Sequence, residues 1–393
     1  MAPLPYPTLN GANVKSIYSS VLETLALEQS PLFEPWVDPV SGVTSFILSA
    51  HVAPLQQSFY YTNPSFTSDG RFLWFYCAFP PGGDAYYGRQ LAVVDFHEQT
   101  VRHFPETQFM DASPFVDKVT GEVYWTTGLD IWKRGPLPDD QTEMVASFPA
   151  ELAHNRRPLR LATHLTRSAD EKSFAIDAQI GDEWIVGDLS IETGEFRLWQ
   201  KFDRCYNHAQ FSPTDSDSIL IAQDGWYDSA SGRKGDTIDR LWLLRRGEAA
   251  RPLFPEAPSN RRGHEWWDAD GEHVWFIDYR NGTEKVNIYT GEHTNVWPDG
   301  HTHSHSDASS RYLVGDTNPA PDVWRIAFFN IESGKEVRIV SDLPKLSFPR
   351  ANYHVHPHPQ FCLNDEYVCY TTNVRGKVEV ALVAVEQLVN MTS

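Results

Sequence analysis

A degenerate repeat of about 50 residues restricts the fold of this chain more than any other sequence feature. Each copy has a polar residue, two spacers, an aromatic residue, a Ser/Thr-x-Asp-Gly turn or a decayed form of it, and then an alternating apolar strand. The first copy is Asn63-Pro-Ser-Phe66-Thr-Ser-Asp69-Gly70, followed by Arg71-Phe-Leu-Trp-Phe. The equivalent positions are 63, 112, 164, 208, 264, 303 and 358, with gaps of 49, 52, 44, 56, 39 and 55.

Seven such units, each with room for four short strands, predict an all-β fold, a seven-bladed β-propeller. The chain after His358 has room for only about three strands, and the strand-like segment Gly42–Leu48 can supply the missing outer one. We therefore expect one domain over residues 1–393, closed by an N-terminal strand. Residues 1–35 are expected to be an extension with a short helix at Val14–Leu27. Separate β-sandwiches are the alternative, but they do not explain a single recurring unit.

The charge balance excludes several classes of partner. The chain has 33 Lys+Arg against 52 Asp+Glu, a formal net charge of −19. Binding to nucleic acid or to an anionic membrane depends on cationic side chains, so neither partner is expected. No apolar run approaches the roughly 18 residues that span a bilayer. The start of the chain lacks the pattern of a secretory signal, which predicts a cytoplasmic protein, or a secreted one if a leader was trimmed.

The first residues of the repeats are the most informative positions for function. If each opens the innermost strand of a blade, they form a ring around the central channel. Five of these seven residues are histidine, in a chain with 15 histidines among 393 residues. The ring comprises Asn63, Ala112, His164, His208, His264, His303 and His358. The sequence thus predicts a channel lined by imidazoles.

Two segments of adjacent blades strengthen this prediction. His301-Thr-His303-Ser-His305 and His354-Val-His356-Pro-His358 each place three imidazoles at period two. On a strand, such side chains share one face and stand about 6.5–7 Å apart. Imidazoles from two neighbouring inner strands can then converge on one cation, and Mn, Zn, Ni or Fe suit them better than Ca. The alternative is a structural cluster, hydrogen-bonded across strands.

Several segments resemble the seven-bladed oligogalacturonate lyases. They are Arg262-Gly-His264-Glu-Trp-Trp-Asp-Ala-Asp-Gly271, His208-Ala-Gln-Phe-Ser-Pro213, His305 before a strand ending Val314-Gly-Asp316, and His356-Pro-His358-Pro. The likeness extends from about Pro39 to the end of the chain. Related propeller lyases act on ulvan and on rhamnose-glucuronate caps, and the segment Gln57–Phe66 is similar to that wider group.

The resemblance implies roles for individual residues. His264 would be the Brønsted base, with His208 as its nearest functional neighbour and Arg262 as a carboxylate-binding or base-orienting partner. A divalent cation, Mn²⁺ by resemblance with Ca²⁺ or Zn²⁺ as alternatives, would be held by His305, His356 and His358. The lyases carry a Gln ligand three residues before His-Pro-His-Pro, where this chain has Tyr353. We assign Tyr353, His303 and His51 to substrate binding.

The chemistry of uronates agrees with these residue types. The C5 proton lies next to a carboxylate, so its removal requires that the carboxylate be neutralised and that a base be available near neutral pH. A cation and a free imidazole meet both needs. The predicted function is a lyase that cleaves acidic oligosaccharides by β-elimination, leaving a 4,5-unsaturated uronate. The alternatives are a non-catalytic propeller that binds a protein partner and a glycoside hydrolase, which needs two carboxylates about 5–10 Å apart. Neither alternative explains why histidines recur at the first position of the repeat.

Overall fold

Each repeat of the sequence folds into one antiparallel sheet, and the seven sheets are the blades of a β-propeller. The computed structural model describes residues 25–320, 323–344 and 350–393. The seven-bladed fold predicted from the repeat is confirmed. The helix expected over Val14–Leu27 lies outside the described residues except at its C-terminal end.

Blades 1 to 6 each contain four strands in chain order. Blade 1 has β3 Leu55–Gln57, β4 Phe72–Ala78, β5 Tyr87–Asp95 and β6 Thr100–Met110. Blade 2 has β7 Phe115–Val116, β8 Val123–Thr127, β9 Asp130–Arg134 and β10 Glu143–Ser147. Blade 3 has β11 Arg160–Leu161, β12 Ser173–Ile180, β13 Glu183–Ser190 and β14 Phe196–Phe202. Blade 4 has β15 Tyr206–Phe211, β16 Ser218–Gln223, β17 Leu241–Arg245 and β18 Arg251–Pro252.

The remaining blades complete the ring. Blade 5 has β19 Arg262–Trp267, β20 His273–Asp278, β21 Gly282–Asn287 and β22 His293–Pro298. Blade 6 has β23 His303–Ser306, β24 Tyr312–Ala320, β25 Val323–Asn330 and β26 Lys335–Leu343. Blade 7 has β27 Gln360–Cys362, β28 Tyr367–Thr372 and β29 Glu379–Ala384, to which β2 Thr44–Leu48 and β1 Phe33–Val37 are added. Two short helices, α1 Arg350–Tyr353 and α2 Val385–Thr392, flank the strands of blade 7.

Blade 7 closes the ring, and its sheet contains strands from both ends of the described chain. Strand β2 pairs with β29 through Phe46 opposite Leu382 and Ile47 opposite Ala381, as the sequence predicts. The structure adds a second N-terminal strand, β1, which begins at Phe33, inside the segment expected to be an extension. The closing blade therefore has five strands.

Side-chain hydrogen bonds reinforce this closure. The Gln387 side chain accepts from the backbone N–H of Thr44 and donates to its carbonyl, both at 2.9 Å. Asp38, in the turn between β1 and β2, reaches blade 6, where the Ser341 backbone N–H (2.9 Å) and hydroxyl (2.7 Å) donate to its carboxylate. The N-terminal strands thus join blade 7 to blade 6.

The middle strands of the blades are apolar because neighbouring blades pack on both of their faces. Every residue of β4, β16 and β28 is buried. Large side chains such as Trp74, Trp125 and Trp275 fill the spaces between blades. No helix among the described residues is long and apolar enough to cross a membrane.

The strand order decides which loops surround the channel entrance. Because successive strands alternate in direction, the loops between blades emerge on the same face as the loops joining the second and third strands of each blade. We call this the entry face. The first strand of each blade starts there, so the ring positions of the repeat lie at the entry face.

Candidate active site at the mouth of the channel

A funnel with a volume of about 340 Å³ opens on the entry face. Its lining is predominantly polar and includes titratable groups from six blades. These are the histidines His164, His208, His264, His354 and His358, the arginines Arg89, Arg160 and Arg240, the carboxylates Asp111 and Asp224, and the tyrosines Tyr60, Tyr76, Tyr86 and Tyr279. The predicted imidazole lining is therefore present.

Three ring histidines have an unusual backbone. His208, His264 and His358 have positive φ angles of 54°, 50° and 42°. At His208 and His264 the pairing with the second strand also shifts register, as in a β-bulge. A bulge changes the direction of a side chain, and a left-handed non-glycine residue costs about 1–3 kcal/mol, so such residues persist where the surrounding fold holds them. Here the bulges direct the imidazoles into the funnel.

Four histidines converge below the funnel mouth. One ring nitrogen from each of His303, His354, His356 and His358 lies within 4.8 Å of the others. Zinc–nitrogen bonds are about 2.0–2.1 Å long, so two nitrogen atoms on opposite sides of one ion are about 4 Å apart. The Nε2 atoms of His303 and His358 are buried and have no hydrogen-bond partner among the described residues. The donor set fits a divalent cation.

Asp316 orients this cluster. Its carboxylate oxygens both lie 2.9 Å from Nδ1 of His303, and they accept from the backbone N–H groups of His303 (3.0 Å) and His358 (3.3 Å). Burial raises the pKa of Asp316, but the two backbone donors favour the ionised acceptor. A proton on Nδ1 of His303 leaves the lone pair of Nε2 directed at the cluster. Second-layer carboxylates orient metal-binding histidines in this way.

His305, expected as a ligand, is not in this group of four. Its Nδ1 accepts a hydrogen bond from the backbone N–H of Phe361 at 3.0 Å, and its ring lies beside those of Phe361 and Trp266. His303 and His305 do share one strand, but the two-residue rise of about 6.5–7 Å carries His305 further along it. The geometry brings His303, assigned to substrate binding from the sequence, into the cluster in its place.

The segment His354–His358 is not a strand, which corrects the period-two interpretation. It lies between α1 and β27, and its first and last residues have left-handed φ angles of 49° and 42°. Pro357 and Pro359 have no N–H to donate to a ladder, so a regular inner strand cannot form here. The rings come closer than on a strand, with centroids 4.2 Å apart for His354 and His356 and 5.5 Å for His356 and His358.

His264, the expected base, lies next to the cluster. Its Nδ1 is 3.1 Å from the Tyr279 hydroxyl. Burial lowers the pKa of His264 well below its usual value, and the neighbouring His303 and Arg240 lower it further. The imidazole is therefore neutral, as a general base must be.

His208 lies further along the funnel wall. Its Nδ1 is 2.6 Å from the side-chain oxygen of Asn207, and burial lowers its pKa well below the usual value. Its ring centroid is 5.2 Å from that of His164, which in turn stacks on Tyr60 at 4.5 Å. This group forms the wall opposite the four-histidine cluster.

Arg240 is one of the three arginines that line the funnel, and the sequence did not identify it. Its guanidinium pairs with Asp224 at 2.9 Å and lies 3.6 Å from Glu265. Burial opposes its charge, but the Glu265 and Asp224 carboxylates outweigh burial and raise its pKa. Arg240 follows the loop after β16 and occupies no position of the repeat, so no motif identifies it.

Arg262, named from the sequence, does not line the funnel. Its guanidinium stacks 3.7 Å above the Phe254 ring and donates to the Ala257 carbonyl. The bulge after Gly263 explains this, because it breaks the alternation that would put residues 262 and 264 on one side.

The other two proposed substrate contacts also lie outside the funnel lining. His51 pairs with the buried Glu379 at 2.8 Å. Tyr353 packs in a buried apolar cluster with Leu55 and Val378, and its carbonyl accepts from the Gln57 side chain.

The fold and the histidine-lined funnel define a seven-bladed propeller with a candidate metal centre, and solved structures of oligogalacturonate lyases are similar to it. A solved oligogalacturonate lyase in complex with manganese superposes with a TM-score of 0.72 at 17% identity, covering 90% of this chain and 96% of that one. An oligogalacturonate lyase from Vibrio parahaemolyticus gives 0.71 at 17% identity, with 91% and 97% covered. No family model matches the chain.

Sequence comparison identifies the same group. The oligogalacturonate lyase of Dickeya dadantii is 24% identical over 219 residues, and the oligogalacturonide lyase of Pectobacterium atrosepticum is 25% identical over 219 residues. Each match covers 50% of this chain and 54% of the relative, so the chain spans about half the length of these curated relatives. The chain thus resembles the oligogalacturonate lyases, and its fold is the propeller of that group.

Proposed function

We propose that this protein is a lyase that cleaves uronate-containing oligosaccharides by metal-assisted β-elimination. One observation carries the proposal: the neutral imidazole of His264 lies 4.2 Å, centroid to centroid, from His303, a member of a four-histidine cluster in which Nε2 of His303 and Nε2 of His358 have no hydrogen-bond partner among the described residues. A base and a cation site side by side are what elimination next to a carboxylate requires.

The substrate carboxylate is bound by arginines that line the funnel. Arg89, Arg160 and Arg240 line it together with two aspartates, although the whole chain has a net charge of −19. Arg240 is fixed by Asp224 and Glu265, so its free N–H groups keep their direction when the substrate enters. Guanidinium groups recognise carboxylates through paired hydrogen bonds.

His264 removes the C5 proton. The electron pair of the C5–H bond forms the C4–C5 double bond, and the C4–O4 bond breaks toward the leaving sugar. The Tyr279 hydroxyl, 3.1 Å from Nδ1 of His264, is placed to give its proton to the leaving oxygen and to take in return the proton that His264 removed from C5.

A divalent cation would be held by His303, His354, His356 and His358, with the sequence-based set of His305, His356 and His358 as the alternative. When bound, the cation neutralises the substrate carboxylate and stabilises the charge that develops on it. Manganese is the proposed ion because a similar solved lyase is a manganese complex.

Incubation with a panel of oligouronates of different sugars and linkages tests the proposal. We expect ultraviolet absorbance from the conjugated double bond to grow with added Mn²⁺ and to be absent with the His264→Ala variant. New reducing ends without absorbance would instead indicate a glycoside hydrolase. That outcome is disfavoured because Asp111 and Asp224 are each paired with an arginine. No product from any uronate would favour a non-catalytic propeller.

A further inference from the structure

A second, shallower groove lies beside the funnel on the entry face. Its volume is about 340 Å³, and it is lined by Tyr86, Tyr87, Arg157, Pro158, Leu159 and Gly181. We call it the outer groove. Tyr86 lines both the outer groove and the funnel, so the two cavities adjoin at this side chain.

Exposed aromatic side chains form one wall of the outer groove. Tyr86 is 55% exposed and Tyr87 is 37% exposed. Their backbone is held in place, since Asp84 accepts from the N–H groups of Tyr86 (2.8 Å) and Tyr87 (3.0 Å), and the Tyr86 carbonyl accepts from Asp111 N–H (2.9 Å). Exposed, pre-positioned aromatic rings of this kind provide stacking surface at little entropic cost.

Arg157 adds a positive charge beside these aromatic rings. The guanidinium of Arg157 lies 4.0 Å above the Tyr87 ring. No carboxylate of the described residues lies within salt-bridge distance of it. Arg160, whose guanidinium lies 5.6 Å from the Tyr86 ring at the boundary with the funnel, is instead paired with Asp111. A free arginine next to exposed aromatic rings suits an anionic, ring-shaped ligand.

We propose that the outer groove is a distal subsite for a uronate residue of the same oligosaccharide whose scissile unit occupies the funnel. This inference rests on the proposed function. Tyr86 lies between the two sites and its exposed ring stacks on a sugar, while Arg157, which is positioned by its contact with Tyr87, pairs with the carboxylate of that sugar. Binding then depends on chain length, because only oligomers longer than the funnel reach Arg157.

The test compares chain lengths. The variants Arg157→Gln and Tyr87→Ala are assayed on the dimer, trimer and tetramer of a cleaved uronate. We expect the ratio of kcat/KM for the tetramer to kcat/KM for the dimer to fall roughly five- to tenfold, through KM, as expected from losing one exposed charged or stacking contact. The controls Arg245→Gln and Tyr289→Ala alter exposed residues at the opposite face and keep the wild-type ratio. An unchanged ratio in both test variants, with native circular dichroism, overturns the proposal.

Calorimetric binding separates this inference from the proposed function. Acidic and neutral tetramers are titrated into the full chain and into Arg157→Gln, each carrying His264→Ala so that no turnover occurs. Weaker binding of the acidic tetramer to Arg157→Gln, with the dimer unaffected by that change, supports the outer groove even if the wild type cleaves no uronate. Equal affinity of both proteins for the acidic tetramer overturns it even if the wild type is an active lyase.

Discussion

The rings of His264 and His303 lie 4.2 Å apart, although their strands belong to blades 5 and 6. His303 is hydrogen-bonded to Asp316 and takes part in the histidine cluster, whereas His264 is hydrogen-bonded to Tyr279 and does not take part in it. The two imidazoles are therefore in contact but have different partners. This separation allows their roles to be tested independently.

Replacement of the base should abolish turnover without removing the metal. We expect His264→Ala to lower kcat by about 10²–10⁴-fold, the range for loss of a general base. The metal content, measured by elemental analysis, and the circular dichroism spectrum should both be the same as those of the wild type. His273→Ala, in the same blade but bonded to Asp270 away from the funnel, is the matched control and should retain full activity. Loss of metal from His264→Ala would show that it is a ligand.

The pH profile should report the lowered pKa of His264. Because the neutral ring is the active form and burial favours it, the acid limb of kcat/KM should have its midpoint below the ordinary histidine value of about 6.5. Activity then falls only as the pH drops through that lower value and is constant from there to neutrality. Initial rates at saturating Mn²⁺ over this range provide the measurement. A midpoint at or above the ordinary value would contradict the assignment.

Metal affinity should distinguish the two candidate ligand sets. We expect His303→Ala and His358→Ala each to weaken Mn²⁺ binding by more than about tenfold, since each removes a donor nitrogen. His305→Ala should bind Mn²⁺ close to normally, because its Nδ1 is engaged by Phe361. Calorimetric titration of the three apo variants measures this. If His305→Ala loses the ion and His303→Ala keeps it, the set inferred from the sequence is right.

Both the charge and the planar shape of the Arg240 guanidinium should be needed for substrate binding. We expect Arg240→Lys to lower kcat/KM by about 10²-fold, because an ammonium keeps the charge but loses the paired N–H groups. Arg245→Gln, an exposed arginine paired with Asp215, is the control. Stopped-flow or steady-state absorbance assays measure kcat/KM, and a normal circular dichroism spectrum shows that the variant is folded. Wild-type activity in Arg240→Lys would exclude bidentate binding at this residue.

The closure of the ring should depend on ionised Asp38. Burial opposes its charge, but hydrogen bonds from Ser41 and Ser341 outweigh burial and lower its pKa below 3.8. Its contribution to stability is thus complete above the unfolded value of about 3.9 and is lost as the pH falls through the folded value. We expect Asp38→Asn to cost about 1–3 kcal/mol at neutral pH.

Thermal scans from pH 3 to pH 7 measure this effect. The difference in Tm between wild type and Asp38→Asn should be largest at neutral pH and shrink below about pH 4. Asp342→Asn, next to Ser341 in β26, changes an exposed carboxylate whose only salt-bridge partner among the described residues is Arg325, and it should leave Tm almost unchanged. A difference in Tm that does not vary with pH would mean that the charge of Asp38 is unimportant.

The fold could be predicted from the repeat because residues at equivalent positions of the repeat have the same structural role in successive blades. Phe66, Phe211 and Phe361 recur at the same offset and pack between blades, so their spacing carries the blade count. The pairing of β2 with β29 followed from counting the strands that remain after His358. Strand β1 lies outside the repeat, and no periodic signal marks it.

The site was less predictable because local backbone geometry decides it. The sequence identifies His208, His264 and His358 as ring positions, but not the left-handed φ angles that aim them. Pro357 and Pro359 are evidence in the sequence against a strand. Which of His303 and His305 joins the cluster depends on a few ångströms, and the sequence does not specify this. Arg240 reaches the funnel from the end of a loop whose sequence does not follow the repeat. Such tertiary placements have no local signature.

The pairing of the first strands with the last has a consequence for synthesis. Ile47 pairs with Ala381, and at about 5–20 residues per second the roughly 330 residues between them take tens of seconds to translate. Throughout that time the N-terminal hairpin has an unsatisfied edge, a hazard for association with other nascent chains. The funnel draws on blades at both sides of the seam, so activity appears only after translation of the final blade. The rate at which activity appears in a translation reaction would therefore measure ring closure.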